Sequence, residues 1–145
     1  VMKEEEYLKT RLDEQLNWYD KKSQRYKKAY LFSRITSIIL AILIPLFSGL
    51  AKDFGWWIFN LIAVIGAVIA LIEGVSSLLK YQENWISYRT IAETLKHEKY
   101  MFLTKTGVYK DVESPFTDLV ERVETIISSE NVNWANLQQN EKGKK

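Results

Sequence analysis

The chain has 145 residues, a formal net charge of +2, no cysteine and a single histidine, His97. The lack of cysteine excludes disulfide bonds, thiolate nucleophiles and cysteine-ligated metals, and one histidine cannot form a histidine metal site alone. A net charge so close to zero gives no overall attraction to nucleic acid, so we expect no nucleic-acid partner.

An amphipathic helix is predicted over residues 3–34. Its apolar and aromatic side chains recur at spacings of three, four or seven residues, with Glu and Lys between them: Leu8, Leu12, Leu16, Tyr19, Tyr26 and Tyr30. No Gly or Pro occurs in this stretch, so the helix should continue into the next element with little or no break. A cluster of basic residues ends at Arg34, just before that element begins.

Two apolar runs follow, and they dominate the middle of the chain. Residues 35–51 and 54–72 contain no charged side chain, and only Lys52 and Asp53 separate them. At 1.5 Å per residue, either run can cross the roughly 30 Å hydrocarbon core of a bilayer, the first only just. Neither run has the polar stripe of a soluble helix. We predict transmembrane helices over 35–51 and 54–79; the alternative is a helix pair buried in the core of a soluble protein.

The ends of these runs indicate how they would lie in a membrane. Trp56 and Trp57 follow the turn, where an aromatic belt at a water interface is expected. Lys and Arg cluster beyond the other ends of the two runs, whereas the turn holds Lys52 alone. The positive-inside rule therefore predicts a multi-pass protein of the cell (inner) membrane with both termini cytoplasmic. Pro45 should kink the first span, either as a hinge or as a static bend.

Glu73 is the one charged residue inside the predicted spans. A carboxylate in an apolar span is costly and usually pairs, faces water or titrates. Glu73 can form an ion pair with Arg34 or with Lys80, or contribute to a ring of carboxylates at the inner mouth of a pore. Asn60 lies about 140° away around the helix, so at most one of the two candidate pore-lining residues, Asn60 and Glu73, can face a central axis.

One side of the second span carries small residues at mostly four-residue spacing: Ala63, Gly66, Ala67, Ala70 and Gly74. Small side chains allow helices to approach closely in lipid, where no hydrophobic effect drives their contact. This face is predicted to pack either against another copy in a homo-oligomer or against the first span of the same chain.

No break signal follows the second span, so its helix is predicted to continue to about residue 103 and to end near Gly107. Ser114 and Pro115 should then begin a last helix over residues 114–139. With the first helix, these cytoplasmic segments should form a bundle whose core contains Trp18, Tyr19, Trp85, Tyr88, Leu95, Phe102, Ile127 and Trp134. The alternative is a stacking site for a nucleotide base, with Arg89 near, formed by Trp18, Tyr19, Trp85, Tyr88 and Trp134. The fold predicted for 1–145 is an all-α membrane protein of one domain, a transmembrane hairpin with cytoplasmic helical extensions.

Motifs for catalysis are missing from the sequence. It has no Gly-rich phosphate loop, no Ser-His-Asp set and no carboxylate cluster at metal-ligand spacing. We therefore expect no enzymatic activity, no cofactor and no metal.

Several local patterns resemble a known family. The most specific are W-x-x-Y-R-x-x-A-E-x-L-K-x-E-K at Trp85 to Lys99, and Glu130, Asn131 and Trp134 near the end; RLDEQLNWYDKKS at 11–23 and IPL at 44–46 also match. They resemble the SLATT superfamily, and most of all its branch called domain of unknown function 4231, a prokaryotic family with two transmembrane helices.

This resemblance implies a membrane effector that oligomerises into a pore, in bacterial conflict or stress signalling that involves nucleotide-sensing partners. The sequence shows no sensor domain, so a nucleotide or protein activator is left open. We expect a homo-oligomeric pore or ion-channel-like effector in the lipid bilayer, with ions as candidate permeants. The alternatives are a non-conducting membrane-anchored scaffold that recruits a cytoplasmic partner, and a soluble helical interaction module.

Overall fold

The computed structural model describes the backbone of residues 1–143 and the side chains of residues 1–129. This part of the chain is helical and contains no strand. The elements in order are α1 (Glu4–Tyr7), a π-helical turn (Leu8–Leu12), α2 (Asp13–Phe54), α3 (Trp57–Leu78), α4 (Tyr81–Thr104), a 3-10 turn (Gly107–Tyr109) and α5 (Pro115–Gly143).

The predicted passage from the N-terminal helix into the first apolar run is confirmed. The backbone is helical from Glu4 to Phe54, and Pro45 lies inside α2. The turn between the apolar runs is also where the sequence placed it. Gly55 adopts a φ of +94°, a backbone conformation that residues with a Cβ rarely take. This conformation ends α2. Only Gly55 and Trp56 separate α2 from α3.

The structure differs from the predicted continuous helix at Leu79 and Lys80. Lys80 takes a left-handed φ of 53°, and its N–H donates to the carbonyl of Ser77. The Asn84 side-chain amide donates to the carbonyl oxygen of Leu79 at 3.2 Å, which satisfies an acceptor freed by the end of α3. The second helix is therefore two helices, α3 and α4, joined by a short turn.

The following helix ends within one residue of the predicted position 103, but the residue that ends it is Lys105 and not the predicted Gly107. Helix α4 ends at Thr104, and Lys105 takes the left-handed conformation, with a φ of 53°. The N–H of Thr106 donates to the carbonyl of Met101 at 3.1 Å, the six-to-one bond that commonly ends a helix. Gly107 also has a positive φ, but it begins the 3-10 turn. Helix α5 begins at Pro115, as predicted, and extends past residue 139 to Gly143.

Residue contacts divide the chain into two compact units, residues 1–20 with 88–145, and residues 21–87. The first unit is a helical bundle. Its buried core consists of Tyr7, Leu12, Tyr19, Ile91, Ala92, Leu95, Phe102, Tyr109, Leu119, Val123 and Ile127. The second unit contains the two apolar runs.

Four residues of the predicted bundle core, Tyr19, Leu95, Phe102 and Ile127, are buried in it, and Tyr88 packs against it. The prediction is wrong for Trp18, which is 47% exposed. Its ring lies at the edge of the core, edge-on to Tyr19 and Tyr88 with ring centroids 4.9 and 5.8 Å apart. Trp85 belongs to the second unit, and the side chain of Trp134 lies outside the described residues.

Two groups of the same composition, each a Glu, an Arg and a Tyr, connect the segments of the bundle. In the first, Arg122 of α5 donates to both carboxylate oxygens of Glu98 in α4, at 3.0 and 2.7 Å, and the Tyr109 hydroxyl donates to the same carboxylate. Glu98 is 4% exposed. This buried group ties α4, the 3-10 turn and α5 together.

The second group lies nearer to the solvent. Arg11 donates to both carboxylate oxygens of Glu124, at 2.9 and 3.0 Å, and Tyr7 donates to one of them at 3.1 Å. The Arg11 and Glu124 side chains are 40% and 41% exposed. This group attaches the N-terminal segment to α5, and an ion pair of 2.6 Å between Lys99 and Asp13 attaches the start of α2 to α4.

These contacts shift the pKa values of the groups in them. Hydrogen bonds from Arg122 lower the pKa of Glu98 below 4.5 although burial opposes the shift, and Arg11 lowers the pKa of Glu124 in the same way. Burial, and then the neighbouring carboxylates, raise the pKa of Tyr7 and of Tyr109. At neutral pH both carboxylates are therefore ionised and both tyrosine hydroxyls keep their protons.

Glu98→Gln should lower the free energy of unfolding more than Glu124→Gln, because Glu98 is buried and Glu124 is half-exposed. We expect a loss of about 2 kcal/mol at Glu98, since hydrogen bonds to a buried charge are lost. The matched change at Glu124 should cost less than about 1 kcal/mol. Denaturant unfolding of the purified chain in detergent, followed by tryptophan fluorescence, measures both. Equal losses would contradict a dominant role of Glu98.

Acid should destabilise the bundle in a defined range. Because the pKa values of Glu98 and Glu124 are lowered in the folded chain, their stabilisation is complete above the unfolded value of 4.5 and is lost as the pH falls below it. The unfolding midpoint should be nearly constant between about pH 7 and pH 5.5 and should then fall. The double variant Glu98→Gln/Glu124→Gln should show a shallower fall. If the unfolding midpoint of that variant fell as steeply with acid as that of the wild type, the acid sensitivity would belong to other groups.

Candidate functional site

In the second unit, α2 and α3 each bury one face. On α3 the isoleucines at three- and four-residue spacing are buried or half-buried: Ile58, Ile62, Ile65, Ile69 and Ile72. On α2 the same is true of Ser37, Leu40, Leu43, Ile44, Phe47 and Ala51. Because the helices are joined by a turn of two residues and have no other covered face, these two stripes pack against each other. The hairpin thus has an interior of isoleucine, leucine and small side chains.

The outer faces of the same helices are apolar and exposed. On α2 they carry Ile35, Ile38, Ile39, Ile42, Leu46 and Leu50, and on α3 Phe59, Val64, Leu71, Val75 and Leu78. In the most apolar 18-residue window of each helix, only 6% and 11% of the residues are buried. Both helices are long and apolar enough to cross a membrane. A core helix of a soluble protein would be mostly buried, and the described part of this chain does not bury these two.

The small residues of α3 lie on an exposed face. Ala63, Ala67, Ala70 and Gly74 are exposed, on the side of the helix opposite to Ile58 and the other covered isoleucines. Gly66 lies at the edge of this face, and no side chain would meet a Cβ added at Gly66 or Gly74 within 4 Å. The alternative that this face packs on the first span of the same chain is therefore wrong. The isoleucine stripe takes that position because its larger side chains fill the space between the helices.

Arg34 and Glu73 come together, as one interpretation of the sequence predicted. The Arg34 Nη1 atom lies 3.3 Å from Glu73 Oε2, and both side chains are partly exposed. Counting residues along the two runs was enough to place them at the same level. Asn60 is exposed and lies towards the small residues of α3, so the two polar groups of this helix point to different sides.

An open pocket of about 240 Å³ adjoins this ion pair. Its lining is polar or ionisable throughout: Tyr30, Arg34, Glu73, Ser76, Ser77, Lys80, Tyr81, Gln82 and Glu83. Among the residues that the structure describes, no group of three or more His, Cys, Asp or Glu side chains could hold a metal ion. The pocket therefore offers paired opposite charges and hydroxyl groups.

Aromatic rings lie beyond both ends of the apolar helices. At one end, the rings of Phe54 and Trp57 are 6.4 Å apart. At the other end, Tyr26 and Tyr81 are 6.3 Å apart, and Tyr30 and Trp85 are 5.9 Å apart. Sequence reasoning missed this second cluster because Trp85 was assigned to the bundle core. The signal is the matching four-residue spacing of Tyr26 and Tyr30 on α2 and of Tyr81 and Trp85 on α4.

A family comparison covers most of these elements. The model of the family DUF4231, described as proteins of unknown function, matches residues 14–116. The chain belongs to the DUF4231 family. The match includes all of α3 and α4, nearly all of α2 and the first residues of α5. No curated protein and no solved structure matches the chain. The resemblance to the 4231 branch is thus confirmed, and membership of the SLATT superfamily stays a prediction.

Reversing the charge of either member of the Arg34–Glu73 pair should destabilise the hairpin. Arg34→Glu and Glu73→Arg each place like charges together, and each should cost about 1 kcal/mol. The swapped double variant should recover most of that loss, because the attraction is restored with opposite polarity. Thermal unfolding in detergent measures this, with Lys28→Glu as a charge reversal at an exposed position of α2. A swap as unstable as the two single changes combined would show that the contact contributes nothing.

Proposed function

We propose that this DUF4231 protein is a membrane-spanning helical hairpin that assembles with copies of itself into a pore for ions or small solutes. The observation that carries the proposal is the exposed apolar surface of α2 and α3. In the most apolar 18-residue window of each helix, only 6% and 11% of the residues are buried. Exposure of such surface to water costs roughly 25 cal/mol per Å². A bilayer removes this cost along the whole length of both helices.

The ends of the hairpin support a definite orientation. Arg34 and the basic residues before it lie at the end where α2 enters the apolar run, and Lys80 lies at the corresponding end of α3. The turn carries Lys52 and the exposed Trp56 and Trp57. By the positive-inside rule, the turn faces outward and both termini are cytoplasmic, in the cell inner membrane. The aromatic clusters at the two ends of the hairpin suit the two water interfaces.

Self-assembly is proposed through the small residues of α3. Ala63, Ala67, Ala70 and Gly74 form an exposed strip on which a neighbouring helix can approach closely. In lipid, close packing and hydrogen bonds are the main forces that join helices. In a ring, this strip packs against a different face of the next copy, because a strip that packs on itself gives only a two-fold dimer; repetition of that contact by rotation closes the ring. The α3 helices would then lie nearest to the central axis.

Asn60 is the better candidate for lining that axis. It is exposed and adjoins the small face, and a polar amide in lipid is costly unless it meets a partner or water. Glu73 lies on another side of α3 and contacts Arg34 within the chain. We assign the Arg34–Glu73 pair to the inner mouth, where it influences the permeant ions by its field rather than by coordination.

The resemblance to the SLATT superfamily supports a role in prokaryotic conflict or stress signalling. In that role, pore opening harms the cell and is triggered by an activator outside this chain, a nucleotide or a protein. A hairpin that assembles but does not conduct would serve as a membrane scaffold for a cytoplasmic partner instead. Ion flux separates the two functions.

Ala67→Leu should prevent assembly and ion flux together. The larger side chain fills the strip and keeps the helices apart, so release of a trapped ion from liposomes should fall at least about tenfold. Ala41→Leu makes the same change on the exposed face of α2 and should leave assembly and release unchanged. Asn60→Leu should reduce release without reducing the oligomer seen by native mass spectrometry.

Three results would overturn parts of this proposal. Wild-type oligomers that release no more ion than empty vesicles would favour the scaffold. Equal effects of Ala67→Leu and Ala41→Leu would show that assembly does not use the small face. Recovery of the protein in the soluble fraction after carbonate washing of membranes would reject the membrane position.

A further inference from the structure

The pocket beside the Arg34–Glu73 pair is lined by side chains of both charges. We propose that it binds the headgroup of a phospholipid with a phosphate and a primary ammonium, as in phosphatidylethanolamine. The inference rests on the proposed membrane position of the hairpin, because that position puts the pocket at the level of the headgroups. A volume of about 240 Å³ is well above what one water molecule needs, so a small headgroup fits.

The charges that line the pocket favour a zwitterionic ligand over an anionic one. Arg34 and Lys80 are cationic, and Glu73 and Glu83 are carboxylates, so the lining has no net charge. A phosphate would face the two cations, and an ammonium would face the two carboxylates. An anionic headgroup without an ammonium would leave both carboxylates near a like charge. A quaternary ammonium has no N–H to donate to them, so it would bind less well.

Neutral donors and apolar surface complete the fit. Ser76 and Ser77 line the pocket and offer hydroxyl donors for phosphate or glycerol oxygens. One and two turns further into the apolar run, on the same side of α2 as Arg34, Ile38 and Ile42 are 51% and 56% exposed. Acyl chains attached to a headgroup in the pocket would cover this surface. The site thus combines a polar pocket with an adjoining apolar surface, the two parts that a phospholipid requires.

Native mass spectrometry of the purified full-length protein in detergent tests the proposal, with one added lipid at a time. Phosphatidylethanolamine should be retained at least about tenfold more than phosphatidylglycerol or phosphatidylcholine of the same chain length. Lys80→Gln should reduce the retention of phosphatidylethanolamine about tenfold because the phosphate loses a partner. Glu83→Gln should reduce it about tenfold because the ammonium loses a partner. Lys28→Gln removes an exposed charge outside the pocket and should have no effect.

The outcomes that overturn the proposal are distinct from failure of the pore. Equal retention of phosphatidylglycerol, or unchanged retention in both pocket variants, would mean general electrostatic attraction. Equal retention of phosphatidylcholine would mean that the ammonium is not recognised. If soluble glycerophosphoethanolamine competes as well as the lipid, the ligand is a free phosphate ester and the lipid assignment fails. Carbonate washing and ion release report separately on the membrane position and on conduction.

Discussion

The arrangement of this chain depends on apolar surface that its described residues leave exposed. Helices α2 and α3 bury one stripe each between them and leave the remaining leucine, isoleucine, valine and phenylalanine side chains exposed. The charged and hydrogen-bonded groups of the DUF4231 protein lie elsewhere, in the bundle and at the ends of the apolar runs. The proposed bilayer position, the proposed assembly through α3 and the proposed lipid pocket all follow from the need to cover this surface.

The bundle is held by a different balance of forces. Its apolar core is fastened by two groups of identical composition, in which a carboxylate accepts from one arginine and one tyrosine. The groups differ in burial, and Glu98 is the more deeply buried of the two carboxylates. Since exposed ion pairs contribute little and buried ones are costly to break, the two groups have unequal weight although their chemistry is the same.

Local signals predicted much of this fold. The apolar runs, the turn at Gly55 and the start of α5 at Pro115 follow from composition, glycine and proline. The helix break at Lys80 did not follow, nor did the role of Lys105 in ending α4, because a lysine in the left-handed conformation leaves no signature in the sequence. The Arg34–Glu73 contact was predictable from depth along two apolar runs. The Glu98–Arg122 contact was not, since it joins separate helices and depends on how the bundle packs.

The brevity of the connection between α2 and α3 bears on how the protein reaches its membrane. Gly55 and Trp56 alone join the two helices, with Lys52 and Asp53 as the neighbouring charges. In the proposed orientation, insertion requires only the short turn between α2 and α3 to cross the lipid, not a folded loop. In that orientation, the connection between α2 and α3 contains no folded segment for a secretion machinery to translocate.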